Sequence, residues 1–314
     1  MKKIDTLTHI TDVGSPIGNG TDSTERIIKQ YQRLGIPNPR VISAGHSPLH
    51  VAFTACTDVS PGTRNTTKNL LYKLHAKVPN PLPIALNSAP RNSGSEFSDS
   101  RGDNLYRVNC PSKPDLETLL IYGDEVLRWV LFFRGLVESR IEQVDSINGI
   151  TNHPSTGSQF RSAEYLPIAH FLEAIKQLDQ YAAIYDISER LRSRFFPNFP
   201  ELRNREAVVA PPDEYGNGRL IIKSEQIKEI SGRERVKIKE ITDEFLDVKK
   251  SLTEVVPGKL SVWPSSNHFP SKDIGVLNIG TRWAPGKTKI TDRKAIALAK
   301  KLSRNVGAKY RIKA

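Results

Sequence analysis

The chain has 314 residues, 38% hydrophobic and 25% charged, enough for two domains with cores of their own. It has no run of roughly 18 apolar residues, which argues against a membrane-spanning helix, and Asp5 with other polar residues follows Met1-Lys2-Lys3 where a secretory signal needs an apolar stretch. The net charge of +12 is uneven: residues 287–314 carry ten Lys or Arg against one acid, Asp292, so +9 sits in that tail and +3 in all the rest.

In chain order, a first strand ends near Asp12, and a helix over 24–34 stops at Gly35-Ile36-Pro37. Residues 39–44 and 82–87 are short apolar runs bounded by turn formers and read as buried strands. Between them a helix begins at Ser47, a side chain suited to the N-cap, with Pro48 at the first helical position. Residues 88–103, rich in Ser, Asn, Gly and charge, read as a long surface loop. Helical spacing runs over 116–137 and again over 164–185. Strands alternating with helices predict an α/β domain with a mostly parallel sheet. The prolines of Phe195-Phe196-Pro197-Asn198-Phe199-Pro200 end that pattern, and the boundary is drawn between 1–203 and 204–314. The second part is β-rich, with strands over 219–223, 235–241 and 260–263.

In the basic tail, Thr291 or Asp292 caps a helix with Ile296, Ala299 and Leu302 on one side and lysines on the other. Tyr310 is the one aromatic among those cations, which argues against a base-stacking surface and a nucleic-acid partner. Two cysteines, Cys56 and Cys110, read as reduced core thiols of a cytoplasmic protein.

Several polar residues have two readings. Asp12, at the carboxyl end of a strand, is placed for the crevice where α/β sheets bind ligands, and its two oxygens match a ribose diol; it also suits an Asx-turn. His46 reads as a hydrogen-bonded residue of a strand–helix turn. His46 and His50 are four apart, but Pro48 intervenes and no third ligand is near, so no metal is expected. Ser162 fits an N-cap with Glu164 in the first turn, or a hydroxyl that binds an anion or orients water. Asp213 and Asn217 are turn formers, or an acid for an ammonium group and an amide for a carboxylate. Tyr215, Trp263 and Trp283 suit a purine face or a core.

Six short segments follow one another along the chain: THITDVG at 8–14, SAGHSP at 43–48, QFRSAEYLP at 159–167, PPDEYGNG at 211–218, WPSSN at 263–267 and GVLNIG at 275–280. Their order and spacing resemble the S-adenosylmethionine (SAM) hydroxide adenosyltransferases and the SAM-dependent fluorinases and chlorinases, over most of the chain but with no long identical block. The resemblance implies a Rossmann-like α/β/α domain with a mostly parallel sheet and a smaller, barrel-like β domain. It implies attack on the ribose 5′-carbon of SAM, which is substrate and not cofactor, with release of methionine. By the same resemblance Asp12 holds the ribose. Asp213, Asn217 and Ser266 hold methionine, with Tyr215 packed beneath it, and Asn278 holds the adenine edge. Phe160 and His46 stand in the corresponding site segments. Ser162, Asn87, Arg91 and Arg161 line the nucleophile's place. A homotrimer or dimer of trimers is implied, with the site at a subunit interface.

The departures are chemical. Asn87 stands for the family's aspartate, Arg161 for its histidine and Ala163 for an arginine, and Arg91 lies near the place of a second arginine. General-base help, typically worth roughly 10²–10⁴ in rate, goes with the carboxylate and imidazole. Three functions therefore stay open: an adenosyl-transferring enzyme or SAM hydrolase, a catalytically silent SAM- or adenosine-binding relative, and, least favoured, an anion- or nucleic-acid-associated assembly protein that uses the basic tail 287–314.

Overall fold

The computed structural model describes residues 4–11, 20–44, 47–59, 82–88, 104–113, 116–147, 150–151, 161–193, 200–212, 217–238, 240–242, 244–269, 271, 273–282 and 293–313, in places the backbone alone. The chain divides into two compact units, Met1–Phe199 and Pro200–Ala314.

The first unit runs β1 (Thr8–Thr11), α1 (Gly20–Arg33), β2 (Arg40–Ser43), α2 (Pro48–Phe53, continued by a π-helical turn Thr54–Val59), β3 (Ile84–Asn87), β4 (Leu105–Asn109) and β5 (Leu119–Tyr122). It continues with α3 (Asp124–Arg134), β6 (Arg140–Ile147), β7 (Ile150–Thr151), α4 (Arg161–Ala174), α5 (Leu178–Tyr181), β8 (Ala182–Asp186) and α6 (Ser188–Ser193). The sheet order is β2-β1-β3-β5-β4-β6-β7, with β8 also on β6. Pairing is parallel from β2 through β1 and β3 to β5, and antiparallel from β5 onward. The parallel sheet expected from strand–helix alternation thus occupies one half of a mixed sheet.

Every residue of β1, β3 and β5 is buried, so both faces of the sheet are covered there; β3 and β5 read as near-continuous apolar runs, whereas β1 buries Thr8, His9 and Thr11 around Ile10. Ala85, Leu120 and Tyr122 meet Tyr165, Leu166 and Ala169 of α4 on one face. Their neighbours Ile84, Leu86, Leu119 and Ile121 point the other way, toward α2 and α3. Helix α1 packs on α4, and α2 on α3.

Two helical expectations overran. Within 116–137, Leu119–Tyr122 is a strand, and Gly123 at φ 113° makes the bend into α3. Within 164–185, α4 stops at Ala174, Lys176 adopts φ 60°, and Ala182–Asp186 joins the sheet. A four- or five-residue apolar run fits either period, and sheet pairing decides it. The start of α2 is as read: Ser47 accepts from the His50 backbone N–H and Pro48 opens the helix. Cys56 and Cys110 are free and buried, and burial pushes the Cys56 thiol up to about 12.

Charges are buried in pairs here. Arg134, fully buried at the end of α3, donates to the Glu117 carboxylate at 2.7 Å and to the Glu117 carbonyl at 2.8 Å. Arg107 on β4 donates to Glu142 on β6 (2.6 Å), Glu173 on α4 (3.1 Å) and Asp179 on α5 (2.7 and 3.0 Å). Burial opposes the Arg107 charge, but the bonds to Asp179 and Glu142 and the Glu173 charge outweigh it and hold its pKa above the usual value.

The second unit runs β9 (Glu206–Ala210), β10 (Gly218–Lys223), α7 (Ser224–Ser231), β11 (Arg235–Ile238), β12 (Leu246–Val248), β13 (Ser261–His268), β14 (Ile274–Gly280), α8 (Arg293–Arg304) and β15 (Lys309–Lys313). Its strands close into a barrel in the order β10-β14-β13-β12-β11-β15-β9, and closure removes the open edges of a sheet. The core is aliphatic except for Tyr310: Val209, Leu220, Ile222, Val236, Val262, Leu277 and Ile279 point inward with Ile312. Helices α7 and α8 each press an apolar side chain onto a glycine. A Cβ at Gly218 would overlap Leu302 of α8, and one at Gly275 would overlap Ile227 of α7.

The basic tail is therefore part of the barrel. Among its described residues 293–304 is helical, the expected cap at Thr291 or Asp292 lies outside the described residues, and β15 lies between β11 and β9 to complete the ring. Among the described side chains of α8, Leu298 and Leu302 are buried, while Ile296 is 37% exposed; contact with β10 and β14 sets the helix's rotation. Strand β11 ends at Ile238, before the expected 241, and β13 extends to His268, beyond the expected 263.

Candidate functional site

Ser43, Thr11, Asn87 and Tyr122 are the last residues of β2, β1, β3 and β5, and they lie side by side in register. They form the carboxyl-terminal rim of the parallel half-sheet. The chain leaves β1 for β2 on one side and then takes up β3 on the other, so the topological switch point lies at β1. Open α/β sheets bind ligands outside that point. Thr11, Asn87 and Tyr122 are buried. The Asn87 amide oxygen is enclosed and has no hydrogen-bond partner among the described residues. Leaving a buried polar atom unmet costs about 1–3 kcal/mol, which makes this oxygen a place for a donor.

Below the rim lies a polar chain that the sequence reading missed. His170 Nε2 is 2.7 Å from the Pro83 carbonyl, Tyr31 Oη is 2.6 Å from His170 Nδ1, and His9 Nδ1 is 3.2 Å from Tyr31 Oη. A carbonyl only accepts, so His170 donates through Nε2 and accepts at Nδ1 from the tyrosine hydroxyl, which accepts from His9 Nδ1–H. Both imidazoles are held neutral. Burial, helped by His170, lowers His9 to about 3, and burial lowers His170 to about 4 against the hydrogen bond to Pro83. The four residues come from β1, α1, α4 and the approach to β3, so only tertiary packing joins them.

Of the residues singled out from the sequence, Asp12, His46, Arg91, Phe160, Asp213 and Tyr215 lie outside the described residues. Asp12 is the next residue after Thr11. Arg161 and Ser162 form the first two positions of α4. Ser162 is thus in the first turn, where backbone N–H groups lack intrahelical partners, and is not the cap itself.

In the barrel, Ala210, Arg219, Asn278 and Trp263 make a second in-register row across β9, β10, β14 and β13. They point outward, because Leu220, Val262, Leu277 and Ile279 point inward. Trp263 and Arg219 are buried and Asn278 is half-buried. Asn278 thus stands between a guanidinium and an indole; Arg219 gave no signal in the sequence, since its neighbours here come from other strands. Asn217 precedes β10 and is buried, its amide lying where a Cβ at Gly280 would be. Ser266 is apart from these, on β13 where the pairing with β14 shifts register between Pro264 and His268. The structure therefore brings Asn217 and Asn278 to the same end of the β10–β14 pair and leaves Ser266 toward the other.

No protein-family model matches the chain, and no curated protein does. Among solved structures it is similar to a conserved hypothetical protein from Thermus thermophilus, with TM-score 0.51 and 10% identity over 99% of this chain and 100% of that one. It is also similar to an uncharacterized conserved protein from Thermotoga maritima, with TM-score 0.57 and 15% identity over 98% of this chain and 100% of that one. At these identities the likeness is one of fold, and it extends over both units. Among the described residues no helix is long and apolar enough to cross a membrane.

Proposed function

We propose that the protein binds S-adenosylmethionine and catalyses attack on its ribose 5′-carbon, giving L-methionine and adenosine or a 5′-substituted adenosine. The observation that carries this reading is the rim at the switch point, where Thr11 and Asn87 are neighbours and the Asn87 amide oxygen is buried without a partner among the described residues. A Rossmann-like sheet receives nucleotides at that place. In the outward Arg219–Asn278–Trp263 row the half-buried Asn278 amide, backed by the buried Trp263, is the group that suits an adenine edge.

In this scheme Asp12 holds the ribose diol. Asn278 holds adenine, and Asp213 and Asn217 hold the methionine ammonium and carboxylate, over Tyr215; Ser266, toward the other end of β14, is left out of that set. His46 and Phe160 flank the nucleoside. Asn87 and Ser162 hold the nucleophile, and Arg91 and Arg161 bias the pocket toward an anion. A water oxygen bonds to C5′ as the C5′–S bond breaks; the electron pair goes to sulfur, which leaves as a neutral thioether, and the surplus proton on oxygen passes to solvent. No acid is required, because the leaving group is already cationic. Alignment of the attacking atom and exclusion of water supply the acceleration. The protein works in the cytoplasm as a homotrimer or dimer of trimers, each site shared between subunits.

The test is incubation of purified protein with SAM, with and without chloride, followed by mass-resolved chromatography. Adenosine with methionine is the expected product pair, and 5′-chloroadenosine would assign halide as nucleophile. A second reading, a silent SAM- or adenosine-binding protein, is favoured by the neutral amide of Asn87 where a base would stand. Saturable SAM binding by calorimetry without turnover would select it, and loss of both binding and turnover would end the proposal.

A further inference from the structure

The sheet of the first unit is open, and β2, β7 and β8 each pair with one strand among the described residues. An unpaired edge offers backbone N–H and C=O groups to any further strand, and proteins blunt it with short strands, cations or proline. Strand β7 is two residues long, and β2 opens on the exposed Arg40 just after Pro39. Strand β8 has none of these devices. Ala182–Asp186 is five residues long and contains no proline, lysine or arginine. Tyr185 is 58% exposed, and Tyr181, just before the strand, 43%. Tyrosine is enriched where proteins meet one another.

The pattern of the strand names the partner. Side chains alternate between faces, so Ala182, Ile184 and Asp186 share one face and Ala183 and Tyr185 the other. Ala182 and Ile184 are half-buried against the core cluster that holds Tyr165 and Leu178. One antiparallel register of two copies pairs all five residues, and it is centred on Ile184. There Ile184 meets itself and extends the apolar cluster across the axis. Ala183 meets the partner's Tyr185, so the small residue leaves room for the large one. Asp186, already 3.3 Å from Arg140, meets alanine and stands about 14 Å along the strand from its own copy. No like charges are therefore opposed within the pair.

We propose that β8 pairs antiparallel with β8 of a second copy of this chain, about a twofold axis at Ile184, joining two sheets into one. The surface lies at the end of the sheet away from β2, and the pairing does not rest on the proposed SAM chemistry. Where the subunits also form trimers, it joins two of them.

The experiment is sedimentation equilibrium of the full chain, with cross-linking by a short bismaleimide. The unaltered chain should contain an even number of subunits. Tyr185→Lys, at an exposed position, should halve that mass, because it sets a cation on the edge and uncovers the partner's Ala183. Ile184→Cys should cross-link two chains, since directly opposite residues have Cβ atoms about 4.5–5.5 Å apart. The native Cys56 and Cys110 are buried and do not compete. Lys29→Cys, exposed on α1, is the control and should stay single. A monomer or an odd-numbered oligomer, an unchanged mass in Tyr185→Lys, or equal cross-linking at positions 184 and 29 would each overturn the proposal.

Discussion

The two units solve the burial of a sheet in opposite ways. The first is an open sheet covered on both faces, and its layers are tied by buried polar groups: Arg134 with Glu117, Arg107 with three carboxylates, and the His9–Tyr31–His170 chain. The second closes on itself, fills its interior almost wholly with aliphatic side chains, and keeps its charges outside. An open sheet leaves helices to be positioned, and directional bonds between elements do that. A closed ring has its register set by closure, so non-directional packing suffices.

If that contrast is right, the units fail for different reasons. The largest effect is expected for Glu117→Ala, which leaves the fully buried Arg134 charge alone and should remove about 3–5 kcal/mol. Denaturant melts should show it, with hydrogen exchange by mass spectrometry rising in peptides of 1–199 and not in those of 200–314. Retention of full stability would mean that water reaches Arg134. Next, Leu302→Ala removes the side chain seated on Gly218 and should cost the barrel about 2–4 kcal/mol, with the reverse exchange pattern.

The smallest effect is a pH dependence confined to the first unit. His9 and His170 have folded pKa values of about 3 and 4, below the ordinary 6.5. A lowered histidine stabilises the fold fully above pH 6.5, and that stability is lost as pH falls toward the folded values, because the unfolded chain takes up the protons first. Each histidine should cost about 1 kcal/mol between pH 6.5 and 5.5. His9→Gln should flatten its share of that slope, and exchange in the barrel peptides should stay constant over the same range.

Local signals were legible. Ser47 and Pro48 announce a helix start because the capping bond and proline's fixed φ act within four residues. The strands β2 and β3 were equally plain, as was the burial of both cysteines. But β2 is an edge strand with none of its residues buried, so the buried strand read over 39–44 holds as a strand and not as a buried one. Leu119–Tyr122 and Ala182–Asp186 are not separable from the adjoining helical spacing in sequence, because a short apolar run carries no period long enough to distinguish helix from strand. The rim was partly visible: Asn87 stood out in sequence, but the adjacency of β1 and β3 at a switch point is a property of strand order.

What the sequence determined by itself is therefore the alternation of strands and helices before the proline cluster, the β-rich part after it, and the polar residues that end strands. Tertiary structure alone decided which strands are neighbours. That adjacency places Asn87 beside Thr11, sets Asn278 between Arg219 and Trp263, closes the barrel with the basic tail, and gathers Arg107, Glu142, Glu173 and Asp179 from four elements. The physical reason is range. Caps, turns and periodicity are interactions within a few residues, whereas register and buried ion pairs join groups tens of residues apart, and their energies appear only once the layers have packed.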